Sequence, residues 1–484
     1  LTRYPKAGQS NPEVRIGVYS LDPKTITWAD FDSSKDQYFG TPFWGDDSQQ
    51  LFVQWMPRVQ NTLELYAVKA DDGSLQHIYH EHYDTWIDWM DDMLFASDGL
   101  YMARAFESGW QQIYYLSYDG KTFKCLTEGN NWRINLVRLD ERKGEVYFTA
   151  CRDSHLRRSL YKLAGNGRIT RLSPLEYDVT EVAVADDFKS FTAKYSNATT
   201  PTLSIKARIG KDSYNITSRE ATPDKLPVVE FVSLAMADGL EVPAKVTYPY
   251  GFDAAKQYPV VMEIYGGPDT DYVRDRWRAP RPMEKWYAEN GIIRVVADCR
   301  ASGHNGRAGE DLSWRDVVSA PVEDFSRWAE YLGSLPYVQK ERIGVEGFSF
   351  GGTMTTMLVM TRPDLFRCGV AGGGVYDWAL YDTHYTERFM DTPGNNLEGY
   401  RRACALNYVE QYDPAKSWLK LTHGTGDDNV HFQNTLQLID ALQQAGKQFD
   451  LMIYPDGMHG YRGAQSLHDN EDDKRFWTEH LLND

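Results

Sequence analysis

The sequence predicts two domains of different fold class: an all-β propeller, of which the C-terminal blades are present, and then an α/β domain. Three observations support this prediction. The chain has 484 residues, which is too long for one ordinary hydrophobic core. Strand patterns recur through its first half at the spacing of propeller blades. In its second half, apolar strands alternate with amphipathic helices, as in a parallel sheet covered on both faces.

The propeller is predicted by four segments that each place a short alternating strand before a turn. Each turn ends in a glycine, and these glycines lie about 45 residues apart, which is enough for four short strands per unit. They are Gly73, Gly120, Gly167 and Gly210. Before them, residues 14–22 and 25–31 look like only the last two strands of an earlier blade. We therefore expect the chain to be N-terminally incomplete; the alternative is a self-contained four-bladed propeller.

A polar connector containing two prolines, residues 219–231, marks the change of character along the chain. The predicted domains are therefore residues 1–221, the propeller blades, and residues 222–484, the α/β domain. Predicted strands of the second domain cover residues 258–267, 292–300, 342–349, 368–375, 419–426 and 450–456. Predicted helices cover residues 282–291, 322–335, 351–360, 431–446 and 472–482.

Composition excludes several classes of function. The net charge of −17 repels phosphate backbones, so nucleic acid is not an expected partner. No run of about 18 apolar residues occurs, so no membrane span is expected. The five cysteines lack C-x-x-C spacing, which favours buried free thiols over a disulfide framework or a zinc site. His77, His80 and His82 could suggest a metal, but alternation on a blade strand explains them, and we expect no metal or cofactor.

A candidate nucleophile lies in the run Gly347-Phe348-Ser349-Phe350-Gly351, which has G-x-S-x-G spacing. A predicted strand precedes this run and a predicted helix follows it, which is the setting of a nucleophile elbow. In such an elbow the serine occupies a strained turn, and the glycines let neighbouring backbone approach closely. The motif alone is weak, since a small residue in a tight turn would look the same.

Two downstream positions strengthen the assignment. A serine nucleophile needs an imidazole base and an orienting carboxylate, in the chain order Ser, Asp, His for this kind of fold. Asp427 and Asp428 follow one predicted strand, and His459 follows the next. Both positions lie at carboxyl ends of strands, where open α/β sheets place their sites. Each residue alone would be an ordinary loop residue, but together and in this order they predict a catalytic triad.

Longer runs carry a family resemblance over nearly the whole chain. In the second half these are YPVVMEIYGGP, GFSFGG, YDWALYDTHYTERFM, HGTGDDNVHFQ and PDGMHG, and the first half matches from YPKAGQSNPEV onward. By these motifs the chain resembles the prolyl oligopeptidase family of serine peptidases, and within it the dipeptidyl peptidase IV group. The resemblance implies an α/β-hydrolase catalytic domain in which Ser349 is the nucleophile and His459 the base. It favours Asp427 over Asp428 as the orienting carboxylate.

The same resemblance implies further site residues. The hydroxyl of Tyr265 and the backbone N–H of Phe350 would form the oxyanion hole, in which two preorganised donors stabilise the tetrahedral intermediate. Asn429 matches the family asparagine that binds a substrate carbonyl, and Glu387 and Arg388 stand in the family YTER run. The family pocket for the residue before the scissile bond matches Val375, Trp378, Tyr381, Tyr385, Phe350 and Val430.

Aromatic residues of this pocket permit two compatible interpretations. A proline ring is flat and rigid, so a shallow aromatic box can hold it with little loss of entropy. Trp378, Tyr381 and Tyr385 also have i, i+3, i+7 spacing, which predicts one amphipathic helix. One face of that helix would then line the pocket.

The expected activity is that of a serine exopeptidase that cleaves X-Pro, and less well X-Ala, dipeptides from peptide N-termini through an acyl-enzyme. One alternative is a prolyl tripeptidyl aminopeptidase of the same family, because the family's amine-binding acidic residues belong upstream of Leu1. Another is a propeller interaction protein with an inactive hydrolase domain.

The resemblance also implies a homodimer in the periplasm or outside the cell. The N-terminus shows neither an initiator Met nor a signal-peptide pattern, so a targeting segment would be absent or lie upstream. Cys368 matches a cysteine that is disulfide-bonded near the C-terminus in animal members, but no cysteine follows Cys404. This difference favours a bacterial member.

Overall fold

The computed structural model describes residues 3–45 and 48–483, which form two compact units. The first unit contains residues 3–5, Ser10–Thr222 and Asp275–Trp277. The second contains Lys6–Gln9, Pro223–Arg274 and residues 278–483. Two short segments are exceptions to the division by chain order. Lys6–Gln9 belongs to the second unit although its sequence neighbours belong to the first, and Asp275–Trp277 belongs to the first unit although its neighbours belong to the second.

The first unit consists of antiparallel sheets that follow one another in chain order. A two-stranded sheet pairs β1 with β2, and four larger sheets contain β3–β7, β8–β11, β12–β15 and β16–β19. This arrangement confirms the propeller blades that the repeat predicts. The strands are β1 (Gly17–Ser20), β2 (Thr25–Trp28), β3 (Gln37–Phe39), β4 (Phe43–Trp44), β5 (Gln50–Pro57), β6 (Thr62–Lys69), β7 (Leu75–His82), β8 (Leu94–Phe95), β9 (Gly99–Arg104), β10 (Gln112–Ser117), β11 (Phe123–Cys125), β12 (Trp132–Asp140), β13 (Glu145–Cys151), β14 (Ser159–Leu163), β15 (Ile169–Arg171), β16 (Asp178–Val184), β17 (Ser190–Asn197), β18 (Thr200–Arg208) and β19 (Tyr214–Arg219).

The turn glycines of the repeat are required by backbone conformation. All four have φ between 71° and 85°, a region that glycine adopts at little cost. At Gly73 space is also limiting, because a Cβ atom there would lie 2.1 Å from the carbonyl oxygen of Trp28. The repeated glycine thus reflects the turn that closes each hairpin.

Apolar side chains of the first unit pack between successive sheets. One cluster joins the first two large sheets, with Leu63 and Leu65 from β6 against Leu100 and Met102 from β9. Corresponding clusters join the second sheet to the third and the third to the fourth. Each sheet therefore buries both of its faces only when its neighbours are present, as repeat architectures require.

The second unit is built on one eight-stranded sheet with helices between its strands. The strand order is β20-β21-β23-β22-β24-β25-β26-β27, antiparallel up to β23 and parallel from there on. The strands are β20 (Val229–Ala235), β21 (Glu241–Thr247), β22 (Tyr258–Ile264), β23 (Ile293–Ala297), β24 (Val338–Phe348), β25 (Cys368–Gly372), β26 (Trp418–Gly424) and β27 (Asp450–Tyr454). The helices are α1 (Pro282–Glu289), α2 (Gly306–Glu310), α3 (Ser319–Gly333), α4 (Phe350–Thr361), α5 (Thr383–Met390), α6 (Leu397–Ala403), α7 (Gln433–Gln444) and α8 (Ala464–Trp477), with 3-10 turns at Asp311–Ser313, Trp378–Leu380 and Ala405–Gln411 and a π-helical turn at Thr478–Leu482.

This unit is the α/β-hydrolase domain that the sequence predicts, and apart from one helix each predicted strand and helix of the domain has a counterpart in it. The strands β22, β23 and β25 are fully or largely buried, which explains their mainly apolar sequences. Because the strands from β22 to β27 are parallel, the loops that follow them meet at one edge of the sheet. That edge receives every candidate site residue.

The prediction of one helix through Trp378, Tyr381 and Tyr385 was wrong. Trp378 lies in a 3-10 turn, Tyr381 is extended with φ −92° and ψ 167°, and Tyr385 lies in the separate helix α5. The break has a physical cause, because the side chain of Asp382 accepts a hydrogen bond from the Tyr385 N–H and so begins a new helix.

Other expectations from composition can be located in the structure. All five cysteines are free thiols, and Cys151, Cys299 and Cys368 are buried, whereas Cys125 is exposed. The three histidines of the predicted blade strand lie on β7 with exposed side chains. Among the described residues, every helix is too short or too polar to cross a lipid bilayer.

Substitution of Leu160 by alanine is expected to destabilise the first unit. Leu160 is 0% exposed within the cluster that joins the third and fourth large sheets. Its truncation leaves a cavity that costs about 2–5 kcal/mol. Leu21→Ala is the matched control, because Leu21 is 81% exposed. Urea unfolding followed by tryptophan fluorescence should show a lower midpoint for Leu160→Ala only, and equal midpoints for the two variants would contradict the blade packing.

Candidate active site

Ser349 occupies a strained turn between β24 and α4. Its backbone has φ 60° and ψ −121°, a conformation that costs a non-glycine residue about 1–3 kcal/mol. The flanking glycines make the turn possible. A Cβ atom on Gly347 would lie 2.4 Å from the carbonyl oxygen of Gly351, and one on Gly351 would lie 2.4 Å from that of Ile264. The G-x-S-x-G spacing therefore follows from close backbone approach on both sides of the serine.

Helix α4 begins immediately after the serine. The Ser349 N–H donates to the Gly372 carbonyl of the neighbouring strand at 2.8 Å, which fixes the turn against the sheet. Phe350 is the first residue of the helix, and the first N–H groups of an α-helix have no acceptor within it. These groups form the positive end of the helix dipole beside the serine hydroxyl.

His459 connects the serine to a carboxylate. Its Nε2 lies 2.9 Å from Ser349 Oγ, and its Nδ1 lies 2.7 Å from Asp427 Oδ2. His459 follows β27 and Asp427 follows β26, so the parallel sheet brings both to the nucleophile. Asp428 is exposed, whereas Asp427 is 5% exposed. The three residues predicted as a triad therefore form one continuous hydrogen-bonded chain.

Hydrogen bonds surround the Asp427 carboxylate. Its Oδ1 accepts the backbone N–H groups of Asn429 and Val430, each at 3.0 Å. Its Oδ2 faces His459 and also His423, whose Nε2 lies 3.3 Å away. Burial alone would raise the pKa of Asp427, but hydrogen bonds from His423, His459 and Asn429 hold it well below its usual range. Asp427 is therefore ionised at neutral pH.

Tyr265 lies just beyond the end of β22, beside the nucleophile. Its ring centroid is 5.9 Å from that of Phe350 and 5.0 Å from that of Tyr272, on which it stacks with 19° between the planes. Burial raises the pKa of Tyr265, an effect that outweighs its hydrogen bond with Ser349. The phenol therefore stays protonated and is available as a hydrogen-bond donor.

An aromatic pocket lies next to the nucleophile. The Trp378 ring is 5.3 Å from that of Phe350 and stacks on Tyr385 at 6.3 Å with 13° between the planes. Tyr381 stands nearly perpendicular to both Trp378 and Tyr385. Val375 and Val430 are buried. The four aromatic residues predicted for the pocket are thus brought together in one cluster, although they come from separate segments of the chain.

Buried hydrogen bonds hold the pocket in shape. The hydroxyl of Thr353 on α4 bonds both the carbonyl and the N–H of Val375, at 2.8 and 2.9 Å. The Asn434 side chain on α7 accepts the N–H of Tyr376 at 3.0 Å. The Tyr381 hydroxyl donates to Asn429 Oδ1 at 2.6 Å, so the predicted carbonyl-binding asparagine is itself oriented by a pocket residue.

The sequence analysis missed two backbone donors and one buried histidine at the site. The backbone N–H of Ala7 donates to the Tyr381 carbonyl at 2.9 Å, and that of Gly8 donates to Glu387 at 2.7 Å. Backbone donors leave no side-chain signal in a sequence. His423 lies in the run HGTGDDNVHFQ, but the sequence analysis did not predict a role for it. Its position at the end of a buried strand, four residues before Asp427, could have indicated one.

The chain is similar to known proteins over both of its units. The sequence profile of the prolyl oligopeptidase family matches residues 281–484, and that of the dipeptidyl peptidase IV N-terminal region matches residues 2–202. A probable dipeptidyl peptidase 4 of Emericella nidulans is 28% identical over 95% of this chain and 63% of its own length. The human dipeptidyl peptidase 8 is 27% identical over 96% of this chain and 60% of its own length.

Solved structures extend the similarity to the fold. The crystal structure of Porphyromonas gingivalis dipeptidyl peptidase 4 has 28% sequence identity and a TM-score of 0.91, covering 99% of this chain and 69% of that one. The chain thus spans less than two thirds of the two curated relatives named above and somewhat more of the crystallised protein. The two family models together cover most of the chain, and with the structural match they support the dipeptidyl peptidase IV group of the prolyl oligopeptidase family.

Proposed function

We propose that the protein is a serine exopeptidase that removes N-terminal dipeptides whose second residue is proline, or less favourably alanine. The observation that carries the proposal is the hydrogen-bonded chain Asp427–His459–Ser349 beside an aromatic pocket. Ser349 is the nucleophile, His459 the general base and acid, and Asp427 the residue that orients His459. Tyr265 and Phe350 provide the oxyanion hole.

Acylation is the first half of the reaction. His459 Nε2 accepts the proton of Ser349 as Oγ attacks the carbonyl carbon of the scissile bond. Asp427, ionised and hydrogen-bonded to Nδ1, stabilises the imidazolium that forms. The negative oxygen of the tetrahedral intermediate accepts hydrogen bonds from the Tyr265 hydroxyl and the Phe350 N–H. Collapse of the intermediate breaks the C–N bond, and the leaving amine takes its proton from His459.

Deacylation repeats these steps with water as the nucleophile. His459 accepts a proton from water, whose oxygen attacks the acyl carbon in the same oxyanion hole. Proton return to Ser349 Oγ releases the dipeptide and restores the starting state. No cofactor is needed, because the protein's own residues supply every proton transfer.

Preference for proline is supported by the shape of the pocket. Phe350, Trp378, Tyr381 and Tyr385 form one aromatic cluster that begins at the residue after the nucleophile. A proline ring has no N–H that would be left unpaired there and loses little conformational entropy on binding. Alanine would fit the same space but bury less apolar surface, so it should be the poorer substrate.

Dimerisation and location outside the cytoplasm are further parts of this proposal, both taken from the family resemblance. Sedimentation velocity at micromolar concentration should give the mass of two chains. A single chain at all concentrations would contradict the dimer without affecting the proposed chemistry.

Hydrolysis of short chromogenic substrates tests the activity and its register. We expect Gly-Pro p-nitroanilide to be cleaved and Ala-Ala-Pro p-nitroanilide to be cleaved much more slowly. The reverse preference would indicate a tripeptidyl peptidase. Ser349→Ala should lose both hydrolysis and labelling by a fluorophosphonate, because no other hydroxyl is bonded to His459 Nε2 among the described residues. Folded wild-type protein that is not labelled would refute the enzymatic proposal and favour an interaction protein.

Removal of the Tyr265 hydroxyl tests the oxyanion hole. Tyr265→Phe keeps the stacked ring but removes a donor, and the loss of one such donor lowers kcat by about 10²–10³-fold. Tyr272→Phe is the matched control, since it removes a hydroxyl from the ring stacked on Tyr265 and should keep near wild-type kcat. Steady-state kinetics on Gly-Pro p-nitroanilide measures both. A Tyr265→Phe variant with unchanged kcat would remove Tyr265 from the mechanism.

A further inference from the structure

His423 is a buried histidine without a part in the reaction described above. It lies at the end of β26 and is 0% exposed. Its Nδ1 lies 2.6 Å from the hydroxyl of Thr435 on α7, and its Nε2 lies 2.8 Å from the carbonyl oxygen of Val430. Both ring nitrogens therefore have partners within the protein, and the ring is held on two sides.

These partners determine the tautomer of His423. A carbonyl oxygen can only accept a hydrogen bond, so Nε2 carries the hydrogen. The Thr435 hydroxyl then donates to Nδ1 of the neutral ring. The N–H on Nε2 also points towards Asp427, whose Oδ2 is 3.3 Å from Nε2. That oxygen is the one that accepts from His459 at 2.7 Å.

We infer that His423 is a positioning residue for the proposed triad, which holds Oδ2 of Asp427 in place for His459. This inference rests on the proposed function. The carboxylate can rotate about its bond to Cβ, and the backbone donors of Asn429 and Val430 restrain only Oδ1. The His423 N–H restrains the other oxygen, Oδ2. Thr435 in turn keeps the imidazole from turning over, because a reversed ring would place a carbon atom instead of Nδ1 against its hydroxyl.

His423 also connects the triad to the pocket. Its Nε2 bonds the carbonyl of Val430, whose side chain lines the pocket, and its partner Thr435 is next to Asn434, which holds the backbone of Tyr376. The first turn of α7 therefore orients the catalytic carboxylate through one residue and the pocket wall through the next.

Two His423 variants distinguish hydrogen bonding from packing. His423→Phe keeps a ring in the site but removes both hydrogen bonds, whereas His423→Gln keeps an amide N–H near the place of Nε2. We expect kcat of His423→Phe to fall by about 10–100-fold, the usual effect of losing a residue that orients a functional ligand. We expect His423→Gln to recover most of that loss. The Michaelis constant for Gly-Pro p-nitroanilide should change much less than kcat, since the substrate does not touch His423.

The rate of fluorophosphonate labelling provides a second readout that does not depend on the proline pocket. It should fall in parallel with kcat in His423→Phe and recover in His423→Gln. If His423→Gln is as slow as His423→Phe, or if His423→Phe labels at the wild-type rate, the positioning role is wrong. Wild-type protein that neither labels nor hydrolyses the substrate would instead refute the proposed function itself.

A pair of threonine variants keeps the test decisive if His423→Phe does not fold. Thr435→Val removes the hydroxyl that holds Nδ1 and so the orientation of the ring, and it should lower kcat and the labelling rate several-fold. Thr355→Val is the matched control, because Thr355 on α4 is equally buried and its hydroxyl has no hydrogen-bond partner in the part of the chain that the structure describes. Equal rates for the two variants would overturn the inference.

Discussion

Close backbone packing around Ser349 is the constraint on which the rest of the site depends. Glycines at positions 347 and 351 let β24, α4 and the end of β22 approach within contact of one another. The left-handed backbone of Ser349 is strained, and the buried strands on either side offset that strain. Because the same contact involves Ile264, the residue before Tyr265, the position of the proposed oxyanion donor is tied to the position of the nucleophile.

The parallel order of the strands then determines which loops can reach the serine. β25, β26 and β27 continue the sheet from β24 on one side, and β22 adjoins β24 on the other. Asp427 and His459 follow adjacent strands, so their side chains approach the serine from the same side and leave Tyr265 on the opposite side. A tetrahedral intermediate between them would have its base on one side and its oxyanion donors on the other, as acyl transfer requires.

Sequence predicted those parts of the molecule that depend on local pattern. Alternating strands with a recurring glycine were enough for the blades. Residues at the ends of apolar strands were enough to find the serine, the histidine and a pair of aspartates, of which the family resemblance favoured Asp427. The i, i+3, i+7 spacing of Trp378, Tyr381 and Tyr385 led to the wrong prediction of one helix, because the side chain of an intervening aspartate begins a new helix. Contacts from Ala7 and Gly8 could not be predicted, since backbone N–H groups are the same in every residue but proline.

Phe350 and α7 each contribute both to the proposed chemistry and to the proposed specificity. In the proposed mechanism the backbone N–H of Phe350 donates to the oxyanion, while its ring packs against Trp378. On α7, Thr435 reaches the triad through His423, while Asn434 holds the pocket segment. A substrate in the proposed pocket would therefore contact residues that also position the oxyanion donors and the Asp427 carboxylate. Binding energy from the residue before the scissile bond can in this way be used in the transition state, which should make preference for proline more evident in kcat than in substrate affinity.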